Sequence, residues 1–436
     1  MQPPVAHGLG LPWDVAVDPG VGSVAPFAAA RAQYGDTFAV HSGDARYVFT
    51  FSPVGVESFY ALPEERASKG VADYLMLRRK LPEEIFSDVG GRRVLPDALF
   101  RRDDVATYLV NLHDALDRTV EELGDDGRVD VFALTRRLGH RMGLASWAGP
   151  ALARGAAFER LVTAFDALDG SDAFVHPDAM AAVAAAGKRT ERAALEEIVT
   201  VLRDTDLDSE KGSGAALFDR IRRAWTTEPE PGRSRGIALD VALIHIASMS
   251  NLMAALGWAL VDLVDHPGYL RRVAAGDADL ARRCALESTR LAQRSIMSRT
   301  VLAPVRFDVG DAVYDVAPGW TIATLLPVLN STAAPGLDGW DPDRWTGHRL
   351  SARHELASPM LVTAFGHGRH TCPAQPFSLA AMTTAMTRLV RQYELVPGWQ
   401  AHPPPVPAQI GGVARSAVPC SLDYRVRAVN GSVTTT

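Results

Sequence analysis

The longest apolar pattern in the chain runs from Gly236 to Asp265, where apolar residues cover most of a helical projection. Such a segment predicts a buried central helix. At about 1.5 Å per residue, roughly 30 residues would span about 45 Å. His266-Pro267-Gly268 then ends it by removing a donor and freeing the backbone. Over Arg102–Leu123, the residues Val105, Leu109, Leu112, Leu116 and Val120 recur at helical spacing, which predicts an amphipathic helix. Shorter helices are expected over Pro26–Tyr34, Pro53–Leu62, Val129–Trp147, Ala153–Leu168, Ala181–Arg203, Ala215–Trp225, Ala278–Leu291 and from Pro376 to about Tyr393.

Alternation and aromatic runs predict strands at Thr37–His41 and Arg46–Phe51, paired around Ser42-Gly43-Asp44. Further strands are expected at Val301–Phe307, Ala312–Val316, Thr321–Leu325 and Leu422–Val426. Leu11–Gly22 reads as an extended lead-in, and Pro63–Pro96 as a short helix between mobile loops. Asp169–Asp178 and Asp204–Gly214 read as loops, Thr226–Gly232 as a break and Asp338–Trp345 as a turn-rich loop. The sum is mainly α with minor β. There is no βαβ series, no repeat of fixed period and no composition shift marking a second domain.

Composition narrows the function classes. The chain has 436 residues, 47% of them hydrophobic and 22% charged, with a formal net charge of −6. This describes a soluble globular protein and speaks against a nucleic-acid partner, which calls for basic patches. Cys284, Cys372 and Cys420 are odd in number and far apart, so they form neither a disulfide framework nor a zinc pattern. Met1–Gly10 lacks a basic region followed by an apolar run, and no stretch reaches about 18 uninterrupted apolar residues. No secretory signal or membrane anchor is expected, and the location expected is cytoplasmic.

The candidate chemistry centres on Ala364-Phe365-Gly366-His367-Gly368-Arg369-His370-Thr371-Cys372-Pro373-Ala374-Gln375. Gly366 and Gly368 suit a tight loop against a flat ligand. A thiolate just ahead of a helix gains from the positive end of its dipole. One thiolate in such a loop is a plausible axial ligand for haem iron. The plain alternative is a small buried cysteine in a turn.

Phe-Gly-x-Gly-x-His-x-Cys resembles the haem-binding signature of the cytochrome P450 family, with Ala374 standing where the family has glycine. The resemblance covers nearly the whole chain in order. It implies a mainly α, single cytochrome P450-like domain over 1–436, with a long central helix over a buried haem. Within it, 1–62 would hold N-terminal strands and helices, 63–100 a mobile pocket loop and 165–235 a pocket lid. The central helix would be 236–265 and the haem-thiolate loop 364–375. Cys372 would ligate the iron of haem b, Phe365 and Gly366 would lie against the macrocycle, and His370 and Arg299 would meet its propionates. Glu287, Arg290 and Arg344 would form a structural ionic triad, since the Glu-x-x-Arg helix, the Asp-Pro-Asp-Arg-Trp loop and the cysteine loop follow in the family's order.

On the central helix, Ala247-Ser248-Met249-Ser250-Asn251 looks like the family's oxygen-facing string. Ala247 would touch the haem. Ser248, Ser250 and Asn251 stand where the family has glycine, an acid and a threonine, and would handle protons. Asparagine at that point resembles a branch of sterol 7α-hydroxylases and prostacyclin synthases. The other reading of these three is that they only bond helix carbonyls or water. The resemblance implies a monooxygenase that places one oxygen atom of O2 into a hydrophobic terpenoid, steroid or polyketide-like molecule. A haem-thiolate isomerase, dehydratase or coupling enzyme is the alternative, and a haem-binding sensor a third. Electrons would come from a ferredoxin or flavodoxin-type donor with its reductase, docking near Arg78, Arg79, Lys80 or Arg369. A monomer is expected. Pocket walls would come from Tyr74–Phe86, Phe165–Met180, Ile244, Ala247, Met249 and Ile296–Met297. His245 reads as a core histidine, and His245, His266 and His367 lack the spacing of a zinc centre.

Overall fold

The computed structural model describes residues 1–11, 14, 22–86, 100–170, 177–205, 216–347, 349–350 and 355–428. Most of the expected lead-in, residues 87–99 of the pocket loop, and most of the 169–178 and 204–214 loops lie outside them.

The described elements follow in order. The first part holds α1 Ala25–Tyr34, β1 Thr37–Ser42, β2 Ala45–Thr50, α2 Pro53–Ala61, β3 Ala67–Ser68 and α3 Lys69–Leu77. Then come α4 Val105–Leu123, β4 Asp126–Asp130, α5 Val131–Trp147, α6 Gly155–Asp169, α7 Pro177–Ala185, α8 Arg189–Asp204 and α9 Ala216–Ala224. The central helix is α10 Gly232–Asp265, followed by α11 Pro267–Ala274 and α12 Ala278–Ala292. The strands β5 Ile296–Val301, β6 Val305–Asp308, β7 Val313–Val316 and β8 Thr321–Leu325 precede α13 Leu326–Thr332. Last are β9 Trp345–Thr346, β10 Arg349–Leu350, α14 Gln375–Gln392, β11 Tyr393–Pro397 and β12 Ser421–Val426.

The strands form small sheets at the margins of the helices. The largest has the order β1-β2-β8-β5-β3, with β2 and β8 parallel and its other pairs antiparallel. Another has the order β11-β12-β4. One apolar cluster gathers α4, α5, α6, α8, α10, α12 and α14, and a second fills the space around the larger sheet.

α10 runs for 34 residues and is buried along most of its length. It is the described helix long and apolar enough to cross a membrane, but 67% of its apolar window is buried inside the protein, as befits a core helix. It packs on α5 at close range because small residues face large ones. A methyl at Gly139 or Gly143 would fall 2.5 or 2.8 Å from the side chains of Met253 and Met249. Side-chain caps fix several helix starts. Ser52 accepts from Gly55 N at 2.9 Å, Ser68 from Val71 N at 3.0 Å and Asp130 from Ala133 N at 2.9 Å.

Several sequence expectations are corrected. The helix expected over Ala181–Arg203 is two helices, because Gly187 and Lys188 take φ of +59° and +57° and break the ladder. Val129 and Asp130 end a strand rather than start a helix, since β12 offers a pairing edge. The strand expected at Val301–Phe307 is interrupted before Pro304, with Val301 closing β5 and Val305 opening β6. Arg299 therefore sits inside β5, paired to Ile322.

Candidate haem-thiolate site

Cys372 lies in the short loop before α14. Its N–H donates to Phe365 O at 2.7 Å, closing the loop, and its carbonyl accepts from Gln375 N at 3.1 Å. Burial pushes the thiol pKa up, while the N–H groups of Ala374 and Gln375 aimed at the sulfur, and the Lys69 charge, pull it down. The sulfur is thus a partly buried thiol whose anion is already solvated by backbone donors at a helix start. Gly366 has φ +81°, and a methyl there would fall 2.5 Å from His370 O, so the loop needs a glycine. Ala374 does not strain it: φ is −82°, open to any residue.

Arg299 is fully buried. It donates to Ala67 O at 2.7 Å, Phe59 O at 3.2 Å, Glu64 Oε2 at 3.2 Å and His370 Nε2 at 2.8 Å. Burial first, then the Arg299 charge, pushes His370 down to about 4, so the imidazole is neutral and accepts from the guanidinium. The Tyr60 ring stands edge-on to His367 and tilted to His370, and its hydroxyl is buried with no partner among the described residues.

On α10, Ala247 and Asn251 are exposed and Ser248 partly so, one turn apart on one face, while Ile244 and Met249 are buried. Asn251 Oδ1 accepts the Val413 N–H at 2.9 Å. A methyl on Gly412 would fall 2.5 Å from that oxygen, so the loop can approach only as glycine. Val413 also bridges to Gln293, whose side chain donates to Ala364 O at 2.9 Å. One chain of contacts therefore links the central helix, the end of α12 and the cysteine loop. Ser250 keeps different company. Its hydroxyl donates to Asp169 Oδ2 at 3.2 Å and accepts from Arg415 at 3.1 Å. Asp169 also pairs with Arg415 at 2.9 Å and Arg136 at 3.3 Å.

Glu287 and Arg290 are fully buried. Arg290 grips Glu287 through Nη2 at 2.7 Å and Nε at 2.8 Å, and Arg344 Nε reaches Glu287 Oε1 at 2.7 Å. Trp345 Nε1 and Asp341 N complete the carboxylate's bonds. Arg290 spends its remaining donors on carbonyls, including Leu337 O at 2.7 Å, which joins α12 to the 337–345 loop.

No protein-family model matches the chain. In sequence it is similar to the mitochondrial cytochrome P450 302a1 of Drosophila melanogaster, 26% identical over 51% of this chain and 47% of that protein. The cytochrome P450 monooxygenase pyr3 of Aspergillus fumigatus is 27% identical over 45% of this chain and 41% of the relative. These two matches span less than half of each relative's length. The 24-hydroxycholesterol 7-alpha-hydroxylase of Homo sapiens is 21% identical over 98% of this chain and 94% of the relative. Among solved structures, the cytochrome P450DA heme domain superposes with a TM-score of 0.72 at 20% identity, over 98% of this chain and 96% of that one. The chain therefore has the fold of a cytochrome P450 heme domain, and its sequence is similar to those of cytochrome P450s.

The likeness to cytochrome P450s implies a haem, dioxygen and a source of electrons. The residues present fit that cofactor: a single cysteine sulfur facing backbone N–H groups, an Arg299–His370 pair suited to a carboxylate, and an orphaned Tyr60 hydroxyl. One expectation is corrected. Lys80 is fully buried and contributes nothing to a docking face, whereas Arg78 and Arg369 are exposed. Arg299, expected to meet a propionate, is among the largest fully buried side chains.

His245 is the core histidine expected. It accepts from Trp147 Nε1 at 3.1 Å and faces His140 at 2.8 Å, and His140 reaches Asp166 at 2.9 Å. No cluster of His, Cys, Asp and Glu suited to a metal ion occurs among the described residues. A cleft of about 250 Å³ opens between β2, α3 and β5, lined in part by Tyr47, Met76, Arg79, Ile296 and Ser298. Two walls expected from the sequence, near Met76 and Ile296, meet there. Sequence reasoning missed Asp169, Arg294 and the 411–413 loop. The Gly411-Gly412 doublet was the one signal available for the loop.

Proposed function

We propose that the protein is a haem-thiolate monooxygenase acting on a hydrophobic small molecule. The observation that carries this reading is Cys372, set in a glycine loop with the N–H groups of Ala374 and Gln375 on its sulfur. Cys372 would ligate the iron of a b-type haem, Phe365 and Gly366 would back the ring, and Arg299 with His370 would hold its carboxylates. When bound, the haem supplies dioxygen activation: with two electrons and two protons, one oxygen atom enters a C–H or C=C bond and the other leaves as water.

The chain's own residues do the rest. The backbone donors offset part of the burial that raises the Cys372 thiol pKa, and ligation to the iron would complete the thiolate. Ala247, Ser248 and Asn251 present the exposed face of α10 to the reacting centre, and the buried apolar residues beside them keep water out. Ser250 acts on position, through Asp169 and Arg415. Electrons would come from a ferredoxin or flavodoxin-type partner, with Arg78 and Arg369 as docking candidates. The protein would work as a cytoplasmic monomer on a terpenoid, steroid or polyketide-like intermediate.

One observation favours a second reading. Asn251 has its oxygen tied to Val413, so its free end only donates. This suits an isomerase, dehydratase or coupling enzyme that needs no proton relay at that position.

The test is the absorption spectrum of the reduced, CO-treated protein. The thiolate band is expected in the native protein and absent in Cys372→Ser. A band unchanged in that variant would overturn the assignment. Turnover of an organic peroxide without an electron donor, together with no turnover under NADH and ferredoxin, would select the second reading.

A further inference from the structure

Arg294 follows the end of α12 and leads into β5, the strand whose Ile296 and Ser298 line the cleft. Its backbone is locked to the loop that holds Asn251. Arg294 N donates to Gly412 O at 2.8 Å and its carbonyl accepts from Gly411 N at 2.7 Å. The next residue of that loop, Val413, bonds Asn251 Oδ1. Arg294 and Asn251 thus flank one short turn beside the exposed face of α10.

The side chain is half-buried, yet it meets no carboxylate. Nη1 donates to Gln293 O at 3.0 Å and Leu291 O at 3.4 Å, the usual way a cation caps a helix end. Nε and Nη2 have no partner among the described residues. Burial alone lowers the group's pKa to about 10, and no acidic neighbour opposes it. A cation withdrawn from water is stable only when paired. The other arginines taken out of water here have their acids: Arg290 has Glu287, Arg299 has Glu64 and Arg415 has Asp169. Asn251 Nδ2 adds a second unpartnered donor on the other side of the same turn.

We propose that Arg294 is an anion-recognising residue of the substrate pocket, and that the hydrophobic substrate carries a carboxylate. This rests on the monooxygenase reading only in taking the space beside α10 as the substrate pocket. The guanidinium offers planar paired donors, the geometry a carboxylate fits. The apolar body of the ligand would then lie along the exposed face of α10 at Ala247.

The experiment titrates the haem-loaded protein with matched acids and esters, reading the absorption shift of the haem. The probes are dodecanoic acid against methyl dodecanoate, and abietic acid against methyl abietate. Each acid should bind at least about tenfold more tightly than its ester, the scale of a charge-assisted pair. In Arg294→Gln the ratio should fall to near one, and in Arg294→Lys most of it should survive. The reduced-CO band should be the same in all three proteins. Equal binding of acid and ester by the native protein, no shift with either acid, or an unchanged ratio in Arg294→Gln would overturn the proposal. Haem loss from Arg294→Gln with the acid preference intact would overturn it too, by assigning the guanidinium to the cofactor seat. Failure of the monooxygenase reading looks different: the native protein would lack the thiolate band.

Discussion

Asn251 Oδ1 accepts the backbone N–H of Val413 at 2.9 Å, and that bond decides which end of the amide faces the open side of α10. A backbone N–H can pair only with the oxygen, so the NH2 group faces the open side of α10. The residue is therefore a fixed donor, not a swivelling relay.

Replacing it by threonine should separate haem binding from proton handling. Asn251→Thr is expected to keep the reduced-CO band and lose about 1 kcal/mol of stability with the Val413 bond. The fraction of electrons ending in product should rise, because a hydroxyl can both accept and donate. Product formed per NADH consumed is the measurement. No change in that ratio would remove Asn251 from proton delivery.

Ser250 should behave in the opposite way. Its hydroxyl bonds Asp169 and Arg415, which tie α6 and the 409–415 loop to the central helix. Ser250→Ala is expected to cost about 1–2 kcal/mol in urea unfolding while leaving product per electron unchanged. A fall in coupling at unaltered stability would return Ser250 to the chemistry.

The Glu287 cluster should be the most sensitive structural point. Glu287→Gln leaves Arg290 buried without its counter-ion and weakens the hold on Arg344. The expected loss is about 3–5 kcal/mol, with poor haem retention. Thermal melting of the purified variant checks this, and a melting temperature within a degree of the native one would contradict it.

Stability should fall as the solution is acidified below about pH 6.5. Burial holds His140 and His245 below their ordinary pKa, so both stay neutral in the fold. The unfolded chain takes up those protons near 6.5 while the folded one does not, so unfolding binds protons and stability rises with pH in that range. The slope should be roughly 1.4 kcal/mol per pH unit for each histidine until its folded pKa is reached. Urea unfolding between pH 5 and 7 reads it, using the values on either side of about 6.5. His245→Leu should lower the slope, and an unchanged slope would show that other groups carry the dependence.

Some of this was legible before any fold was known. The periodicity of α10 and α4, the hairpin around Gly43 and the cysteine loop are local patterns, readable because nearby residues answer to nearby residues. The Glu287–Arg290 pair was local, and Arg344 followed from its order along the chain. The misread elements had non-local causes. β4 exists only because β12 lies beside it, and Lys80 looked exposed because its run of basic neighbours says nothing of what covers it.

What the sequence by itself determined was a long apolar helix, a cysteine placed at a helix start and a glutamate with its arginine. Each is written in adjacent residues, where spacing and backbone freedom leave few alternatives. Only the tertiary structure decided which polar groups meet along the central helix. Ser250 and Asp169 are 81 positions apart, and Asn251 and Val413 are 162. No local rule couples residues at such distances; their pairing comes from the packing of helices and loops that bury the same apolar core.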